Sequence, residues 1–215
     1  MSATKLLLDF DGVVLKNRRL MQYQTNWSAR YLHKHTGMPL PVARDFNRHY
    51  YPRYGHTVTM MRQMLKKNVT LEDYNSYLYG DNLRWLSRFV DKPTYEHGNS
   101  FNRVLSFCEE NNTEVIVFTN VHVNWVEHFT RLMDLPIKRS NIVWPSDTKL
   151  LKPNAFSYEL LEAVFPSDTR FVFFDDSERN IARAERPGWI PVLFGEDHTA
   201  DYVVRSMEHV LANVR

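Results

Sequence analysis

The feature that most constrains the fold of this chain is a short apolar run that ends in two aspartates. Leu6 to Leu8 predict a buried strand, and Asp9 and Asp11 follow it before Gly12 lets the backbone turn. Residues two apart on an extended chain point to the same side. We therefore expect both carboxylates to face one pocket at the carboxyl edge of a sheet, where open α/β folds bind ligands. Two close carboxylates raise each other's pKa, so this pocket requires a cation or a shared proton.

The remaining sequence has a helical part and an alternating part. Residues 15–95 carry apolar side chains at helical spacing and predict about five helices without a strand. From residue 96 onward, apolar strands alternate with helices, which implies a parallel sheet covered on both faces. We predict an α/β fold with a doubly wound, Rossmann-like core (residues 1–14 and 96–215), in which residues 15–95 are inserted as an all-helical subdomain. The later strands are predicted at residues 114–119, 170–174 and 190–194.

Small polar residues and a proline mark the predicted helix starts. Thr70 begins a capping-box pattern, and Ser100 and Ser177 are further candidate N-caps. Pro153 is predicted to begin a helix, because proline is tolerated in the first turn. Asp81 is predicted to begin a helix of the inserted segment.

The composition is that of an ordinary globular protein and narrows the class of partners. The 215 residues are 43% hydrophobic and 24% charged, and the net charge of +2 comes from signs that are mixed throughout the chain. A nucleic-acid-binding protein usually concentrates positive charge on one face, so we expect no such polymer as a partner. No apolar run reaches the roughly 18 residues of a membrane span, and the first strand leaves no room for a signal peptide. We expect a cytoplasmic protein without a membrane partner, and its oligomeric state stays open.

Polar and ionisable residues follow the ends of four predicted elements. They are Asp9 with Asp11, Thr119 with Asn120, Lys152 before Pro153, and Asp175 with Asp176. Parallel strands bring their carboxyl ends to one edge of a sheet, so these four sets should converge. One carboxylate can then attack phosphorus, a second can transfer protons, and others can hold Mg²⁺, which prefers oxygen ligands. A hydroxyl, an amide and a lysine suit the oxygens of a phosphate group.

The motifs DxDGxV, TN, KP and FFDDSxxNI, in this order, resemble those of the haloacid dehalogenase-like (HAD) superfamily of phosphohydrolases. The resemblance covers the whole chain, because the helical insert is similar to the type-1 cap of that superfamily. It implies Mg²⁺-dependent hydrolysis of a small-molecule phosphate monoester through an aspartyl-phosphate, with Asp9 as nucleophile and Asp11 as general acid and base. Lys152 would orient Asp9 and offset negative charge. Haloacid dehalogenases proper lack a carboxylate equivalent to Asp11, so its presence favours a phosphatase.

The same resemblance assigns the residues that would hold the phosphate group and the metal ion. The implied phosphate-binding residues are Gly12 (through its backbone N–H), Thr119, Asn120 and Lys152. The implied Mg²⁺ site comprises a carboxylate oxygen of Asp9, the backbone carbonyl of Asp11, Asp176 as a direct ligand and Asp175 acting through water.

Two stretches suggest a subgroup and a substrate. The sequences YYPRYGHT (residues 50–57) and FFDDSERNIA (residues 173–182) are similar to segments of pyrimidine 5′-nucleotidases, which dephosphorylate nucleoside monophosphates. A nucleotide is therefore the favoured substrate. The candidate substrate contacts in the cap are Arg53, Tyr54 and His56, with Arg48 nearby.

Alternatives remain open at this stage. A solvated helix face explains the basic cap residues Arg48, Arg53 and His56 equally well, and Tyr54 fits the core of the cap. Val121 departs from the family pattern, in which a smaller residue is expected, and would narrow the pocket. A sugar-phosphate phosphatase or a phosphomutase would share the same motifs. A non-catalytic binding or regulatory module is the alternative outside enzymes.

Several residues that suggest chemistry are better explained by packing or by solvation. Cys108 lies on the apolar stripe of its helix, so we expect it in the core and not as a nucleophile. Trp27, Trp85 and Trp125 also lie on helical stripes and are expected to pack. His122, next to the implied phosphate site, is expected on the surface of a first helical turn.

Overall fold

One parallel sheet forms the centre of the molecule in the computed structural model, which describes residues 3–80 and 83–213. Its strands are β1 (Thr4–Leu8), β2 (Glu114–Phe118), β3 (Ile142–Val143), β4 (Arg170–Asp175) and β5 (Trp189–Leu193). The order across the sheet is β3-β2-β1-β4-β5, and each neighbouring pair is parallel. The predicted α/β class is therefore confirmed, and β1 lies between β2 and β4.

Helices occupy most of the remaining described residues. They are α1 (Arg18–Thr36), α2 (Leu40–Tyr54), α3 (Thr57–Gln63), α4 (Leu71–Tyr79), α5 (Leu83–Leu86), α6 (Lys92–Asn99), α7 (Asn102–Glu110), α8 (Val123–Leu132), α9 (Ala155–Ala163), α10 (Glu178–Ala184) and α11 (Ala200–Ala212). Short 3₁₀ helices cover Ser87–Phe89, Arg139–Asn141 and Thr148–Leu150. None of these helices combines the length and the apolar character that a membrane crossing requires.

The sheet is buried on both faces, as its apolar strands predict. Leu6 and Leu8 point into one cluster, to which α1–α5, α7, α8 and α11 also contribute, and Leu7 points into a second cluster with α9 and α10. This alternation follows from the two-residue period of a strand. Cys108 of α7 and Trp125 of α8 are fully buried in the first cluster, in agreement with their apolar stripes.

Between β1 and α7, the described residues form helices that are joined by loops, without a β-strand. We refer to α1–α6 as the inserted helical segment. Its predicted end, between residues 95 and 96, falls inside α6 (Lys92–Asn99). The division into a core and an inserted cap remains a prediction.

Asn17 links the part of the chain that leaves the sheet to the part that returns. Its Oδ1 accepts a hydrogen bond from the backbone N–H of Leu20 and so caps α1. Its Nδ2 donates to the carbonyl of Phe89 at 2.7 Å and to Oγ1 of Thr94 at 2.8 Å. Asn17 is buried, so the two connections are joined at the base of the inserted helical segment.

Two of the predicted caps lie at their expected positions. The Oγ1 of Thr70 accepts a hydrogen bond from the backbone N–H of Asp73 at 3.0 Å, as a capping box requires. Ser177 is the N-cap residue of α10, but its side chain makes no capping hydrogen bond there. The predicted helix start at Asp81 lies outside the described residues.

Two other predicted helix starts are wrong, because neighbouring residues satisfy the backbone instead. Ser100 is the C-cap residue of α6, and its hydroxyl donates to the carbonyl of His97, so α7 begins at Asn102, one residue later than an N-cap at Ser100 would place it. Pro153 precedes α9, which is capped by the Asn154 side chain through the backbone N–H of Phe156. Asparagine is among the strongest N-cap residues, which explains where this helix starts.

Candidate active site

The strand order brings the predicted polar residues to one edge of the sheet. Asp9 follows β1, Thr119 follows β2 and Asp175 ends β4, and β1 lies between the other two strands. A cavity of about 490 Å³ lies over this edge, with α1, α2 and α4 on its opposite side. Asp9, Thr119 and Lys152 are among the residues that line it. This volume is typical of a small-molecule site.

Lys152 connects two of the aspartates beneath the cavity. Its Nζ donates a hydrogen bond to Oδ2 of Asp175 at 2.6 Å and lies 3.0 Å from Oδ1 of Asp9. It also donates to the carbonyl of Phe118 at 2.6 Å. Burial by itself lowers the pKa of Lys152, but the carboxylates of Asp175 and Asp9 outweigh this effect and raise it. Lys152 therefore stays a cation and fixes one oxygen of Asp9.

Three carboxylates form a group whose donor atoms fit a hard cation. Oxygens of Asp9, Asp175 and Asp176 all lie within 4.8 Å of one another. When all three are ionised, Lys152 offsets one of the charges and two negative charges remain in the group. Burial raises the pKa of Asp9 well above its usual value, Lys152 opposes this, and the two other carboxylates add to it. A divalent cation would relieve the repulsion, so these residues fit the Mg²⁺ that the sequence implied.

The two aspartates at the end of β4 differ in what they can offer to a cation. Asp175 is fully buried, and its oxygens already accept hydrogen bonds from Lys152, from Asn180 and from the backbone N–H of Ser177. Asp176 instead lines the cavity. Desolvation and the charge of Asp175 raise the pKa of Asp176 to about 6. This difference favours Asp176 as the direct ligand, which remains a prediction.

Asp11 is held by two donors that the sequence did not identify. Trp125 donates its indole N–H to Oδ1 at 2.9 Å, and Gln24 donates its amide to Oδ2 at 2.7 Å. Burial raises the pKa of Asp11, and these two hydrogen bonds oppose the rise. The interpretation of Trp125 as packing alone is incomplete; the available signal was that a buried indole N–H needs an acceptor. The Asp11 carboxylate lies outside the group of three, and metal binding by its backbone carbonyl remains a prediction.

The side chain of Asn120 is engaged by the backbone of Lys152, and phosphate binding by this residue stays a prediction. Its Nδ2 donates to the carbonyl of Lys152 at 2.9 Å, and its Oδ1 accepts from the backbone N–H of Lys152 at 2.7 Å. This reciprocal pair fixes the backbone that carries the lysine. A phosphate contact from Asn120 would have to come from its backbone N–H.

The backbone N–H of Gly12 is also engaged, and its contact with a phosphate group stays a prediction. It donates to the carbonyl of Leu15 at 2.9 Å. The glycine is required for another reason. Its φ of +89° favours glycine, and a Cβ at this position would lie 2.1 Å from Oδ2 of Asp176. Gly12 therefore lets the first loop approach the carboxylate at the end of β4.

The residues after β2 divide between the cavity and the helix that follows. Thr119 and Val121 line the cavity, and the Thr119 hydroxyl accepts a hydrogen bond from the N–H of Val121 at 3.3 Å. The hydroxyl hydrogen of Thr119 is left for a phosphate oxygen. His122 lies at the N-cap of α8, where its Nδ1 accepts from the backbone N–H of Asn124, and it does not line this cavity.

Of the three candidate substrate residues in the cap, only His56 lines the cavity. The Arg53 guanidinium lies over the Tyr54 ring, 5.7 Å from its centroid, and neither residue reaches the cavity wall. Arg48 and Tyr51 line the cavity instead. The signal for them was available, because Arg48, Tyr51, Pro52 and Gly55 follow the three- and four-residue spacing of one helix face.

The inserted helical segment contacts the sheet edge around this cavity. Arg179 of α10 donates from Nη1 to the carbonyl of Pro52. A Cβ on Gly55 would lie 3.2 Å from the ring of Pro153. The backbone at Gly55, where α2 ends, therefore packs closely on the loop that carries Lys152. Arg62 of α3 donates to Oγ1 of Thr148 at 3.0 Å. These contacts join α2, α3 and the turn between them to the loops at this edge of the sheet.

No protein-family model and no curated protein matches this chain. Three solved structures are similar to it. A phosphoserine phosphohydrolase-like protein from Francisella tularensis subsp. tularensis SCHU S4 is 10% identical, with 87% of this chain and 83% of that one covered and a TM-score of 0.48. A HAD family enzyme from Bacteroides thetaiotaomicron is 16% identical, with 92% and 97% covered and a TM-score of 0.44. A haloacid dehalogenase-like hydrolase from Burkholderia xenovorans LB400 is 14% identical, with 90% and 82% covered and a TM-score of 0.42.

Proposed function

We propose that this chain is a Mg²⁺-dependent phosphomonoester hydrolase of the HAD superfamily that forms an aspartyl-phosphate at Asp9. The observation that carries the proposal is the environment of this carboxylate. Its Oδ1 is fixed by Lys152 and by the backbone N–H of Phe10. Its Oδ2 has no hydrogen-bond partner among the described residues, and Asp9 lines the cavity. One oxygen is thus anchored while the other is available to attack phosphorus.

In the first step, Oδ2 of Asp9 attacks phosphorus, an O–P bond forms and the ester P–O bond breaks. Asp11 donates its proton to the leaving oxygen, and its raised pKa suits this role at neutral pH. Trp125 and Gln24 keep the Asp11 carboxyl in place while the proton moves. Mg²⁺, held by Asp9 and Asp176 with Asp175 in support, would offset the charge of the phosphoryl oxygens when bound.

In the second step, water attacks the phosphorus and gives a proton to the Asp11 carboxylate. The bond between Asp9 and phosphorus breaks, and its electron pair returns to the Asp9 oxygen. Inorganic phosphate leaves, and both aspartates regain their starting states. Lys152 offsets negative charge on Asp9 and on the phosphoryl oxygens throughout.

A nucleoside monophosphate is the substrate that we favour. The support comes from the part of the cavity that faces the phosphate site. Three tyrosines, Tyr51, Tyr74 and Tyr79, contribute to its wall. Aromatic rings offer stacking surfaces for a nucleobase, and the cavity has room for one beyond the phosphate group.

The proposal is tested by measuring phosphate release from UMP, CMP, AMP, ribose 5-phosphate and glucose 6-phosphate, with Mg²⁺ and with a chelator. We expect release only with Mg²⁺, and a fall of about a thousandfold or more in Asp9→Asn. Asp45→Asn, at an exposed position of α2, is the matched control and should retain the activity. Release that survives in Asp9→Asn or in chelator contradicts the hydrolase mechanism. Nucleotides that rank no higher than sugar phosphates contradict only the substrate preference.

A further inference from the structure

The wall of the cavity opposite the carboxylates carries a buried asparagine whose amide nitrogen is unused. Asn47 of α2 is 3% exposed and lines the cavity. Its Oδ1 accepts a hydrogen bond from Oγ1 of Thr57 at 2.9 Å. Its Nδ2 has no hydrogen-bond partner among the described residues. A buried amide donor without a partner is costly, so this group is suited to a ligand that reaches it.

His56 presents a second donor among the residues that line the cavity. Its Nδ1 accepts from the backbone N–H of Val58 at 3.2 Å, which leaves the proton of the neutral ring on Nε2. The ring is 7% exposed and lies edge-on to Tyr74, with centroids 5.0 Å apart. Within the described residues, Nε2 has no partner. His56 directly precedes Thr57, the residue that anchors Asn47, and both His56 and Asn47 line the cavity.

Both donors have access to the space of the cavity. Among the described residues, the fully buried side-chain nitrogen and oxygen atoms without a partner are His35 Nε2 and Thr169 Oγ1. The Nδ2 of Asn47 and the Nε2 of His56 are not in that class, so each keeps some accessible surface. Both residues line the cavity, and we infer that this surface belongs to its wall.

We propose that Asn47 and His56 form a two-donor subsite that binds a carbonyl or hydroxyl oxygen on the leaving group of the phosphate monoester. This inference rests on the proposed hydrolase function. In each residue, one side-chain atom is anchored and the other is free, so the donors are preorganised before a substrate binds. Burial lowers the pKa of His56 to about 4, so the ring is neutral at physiological pH and suits an uncharged acceptor. A site built to hydrogen-bond such an oxygen rejects a substrate that lacks it.

The test compares substrates with and without an acceptor oxygen on the leaving group. UMP offers carbonyl and hydroxyl oxygens, ribose 5-phosphate offers hydroxyl oxygens alone, and phenyl phosphate offers neither. The measured quantity is the ratio of kcat/KM for UMP to kcat/KM for phenyl phosphate. In Asn47→Asp, which keeps an acceptor for Thr57 but loses the donor, we expect this ratio to fall about tenfold or more. If the subsite binds hydroxyls, the ratio of kcat/KM for ribose 5-phosphate to kcat/KM for phenyl phosphate falls as well. If the subsite binds the base, this second ratio stays constant.

Two further variants make the result specific. Thr57→Val removes the anchor of Asn47 without a change of shape, and we expect a fall of about two- to tenfold in the UMP ratio. It also serves as the test if Asn47→Asp does not fold. Asn75→Asp places the same substitution at a buried position of α4 outside this cavity and should leave the ratio unchanged.

The outcomes separate this inference from the proposed function. Hydrolysis of all three substrates with unchanged ratios in Asn47→Asp and Thr57→Val overturns the subsite alone. An equal fall of the ratio in Asn75→Asp overturns it as well, because the effect would then not depend on the cavity wall. If the parent protein hydrolyses none of the three with Mg²⁺, the hydrolase proposal fails and the subsite fails with it.

Discussion

The indole N–H of Trp125 donates a hydrogen bond of 2.9 Å to Oδ1 of Asp11, which ties the proposed acid and base to α8. The other oxygen of Asp11 accepts from Gln24 of α1. One carboxyl group is thus positioned by a helix that packs on the sheet and by a helix of the inserted segment. Its orientation depends on both being in place.

The first prediction concerns this indole. Trp125→Phe keeps an aromatic ring against Phe129 and Tyr79 but removes the donor to Asp11. We expect kcat to fall about tenfold or more, because a misplaced catalytic group loses the benefit of orientation. Phosphate release under saturating substrate measures this effect.

A second buried tryptophan provides the matched control. Trp189 donates its indole N–H to Glu162 at 2.6 Å and belongs to the cluster on the opposite face of the sheet. Trp189→Phe should lower the melting temperature by about as much as Trp125→Phe does, because each variant removes one buried indole donor. The kcat of Trp189→Phe should stay close to that of the parent. Equal losses of kcat in the two variants would mean that the Trp125 effect is one of stability.

The second prediction concerns the close approach of Gly12 to Asp176. Gly12→Ala places a Cβ 2.1 Å from Oδ2 of Asp176 and forces alanine to a φ of +89°. The backbone cost alone is about 1–2 kcal/mol, and the carboxylate must also move. We expect a lower melting temperature together with a rise in the Mg²⁺ concentration needed for half-maximal activity. Gly37→Ala, with a φ of +74° and open space around it, controls for the backbone term.

The third prediction concerns Mg²⁺ and the unfolding temperature. If two negative charges remain uncompensated beside Lys152, a divalent cation should bind the folded state and raise its melting temperature. Differential scanning calorimetry of the parent should show this rise, and Asp176→Asn should reduce it. Glu178→Gln removes a nearby exposed carboxylate of α10 and should keep the full rise. A rise of the same size in Asp176→Asn argues against this aspartate as a ligand.

The fourth prediction concerns pH and His56. Burial lowers the pKa of this histidine from 6.5 to about 4. The unfolded chain therefore binds a proton at His56 more readily than the folded chain does. The contribution of the neutral ring to the free energy of unfolding is fully present above pH 6.5. It is lost as the pH falls toward 4, by about 3 kcal/mol in total.

His56→Asn tests this dependence because asparagine can still cap α3 but does not titrate. Urea unfolding at pH 7 and at pH 4 gives the two free energies for each protein. The parent should lose about 3 kcal/mol more than the variant over this interval. Carboxyl groups that titrate in both proteins cancel in the comparison. Parallel losses would show that His56 titrates normally.

The sequence was sufficient where the site depends on strand ends. Asp9, Thr119 and Asp175 follow apolar strands, and the parallel rule alone predicts that they meet. Lys152 was placed by its motif, yet its burial between Asp9 and Asp175 depends on the loop that carries it. No periodicity describes such a loop.

The sequence was insufficient where a side chain has two possible partners. Asn120 was assigned to phosphate, but its amide matches both backbone groups of Lys152, a contact between residues 32 positions apart. Gly12 was assigned a free N–H, but a local turn to Leu15 uses it. Such choices depend on distances that only the folded chain defines, and the spacing of residues along the sequence does not encode them.

Asn17 Nδ2 donates two hydrogen bonds, to the Phe89 carbonyl and to Thr94 Oγ1, and these limit how the inserted helical segment can move. They join the connection that enters this segment to the connection that leaves it, so the two connections cannot rotate independently. Any movement of α1–α6 relative to the sheet should therefore involve both connections together, with Asn17 between them.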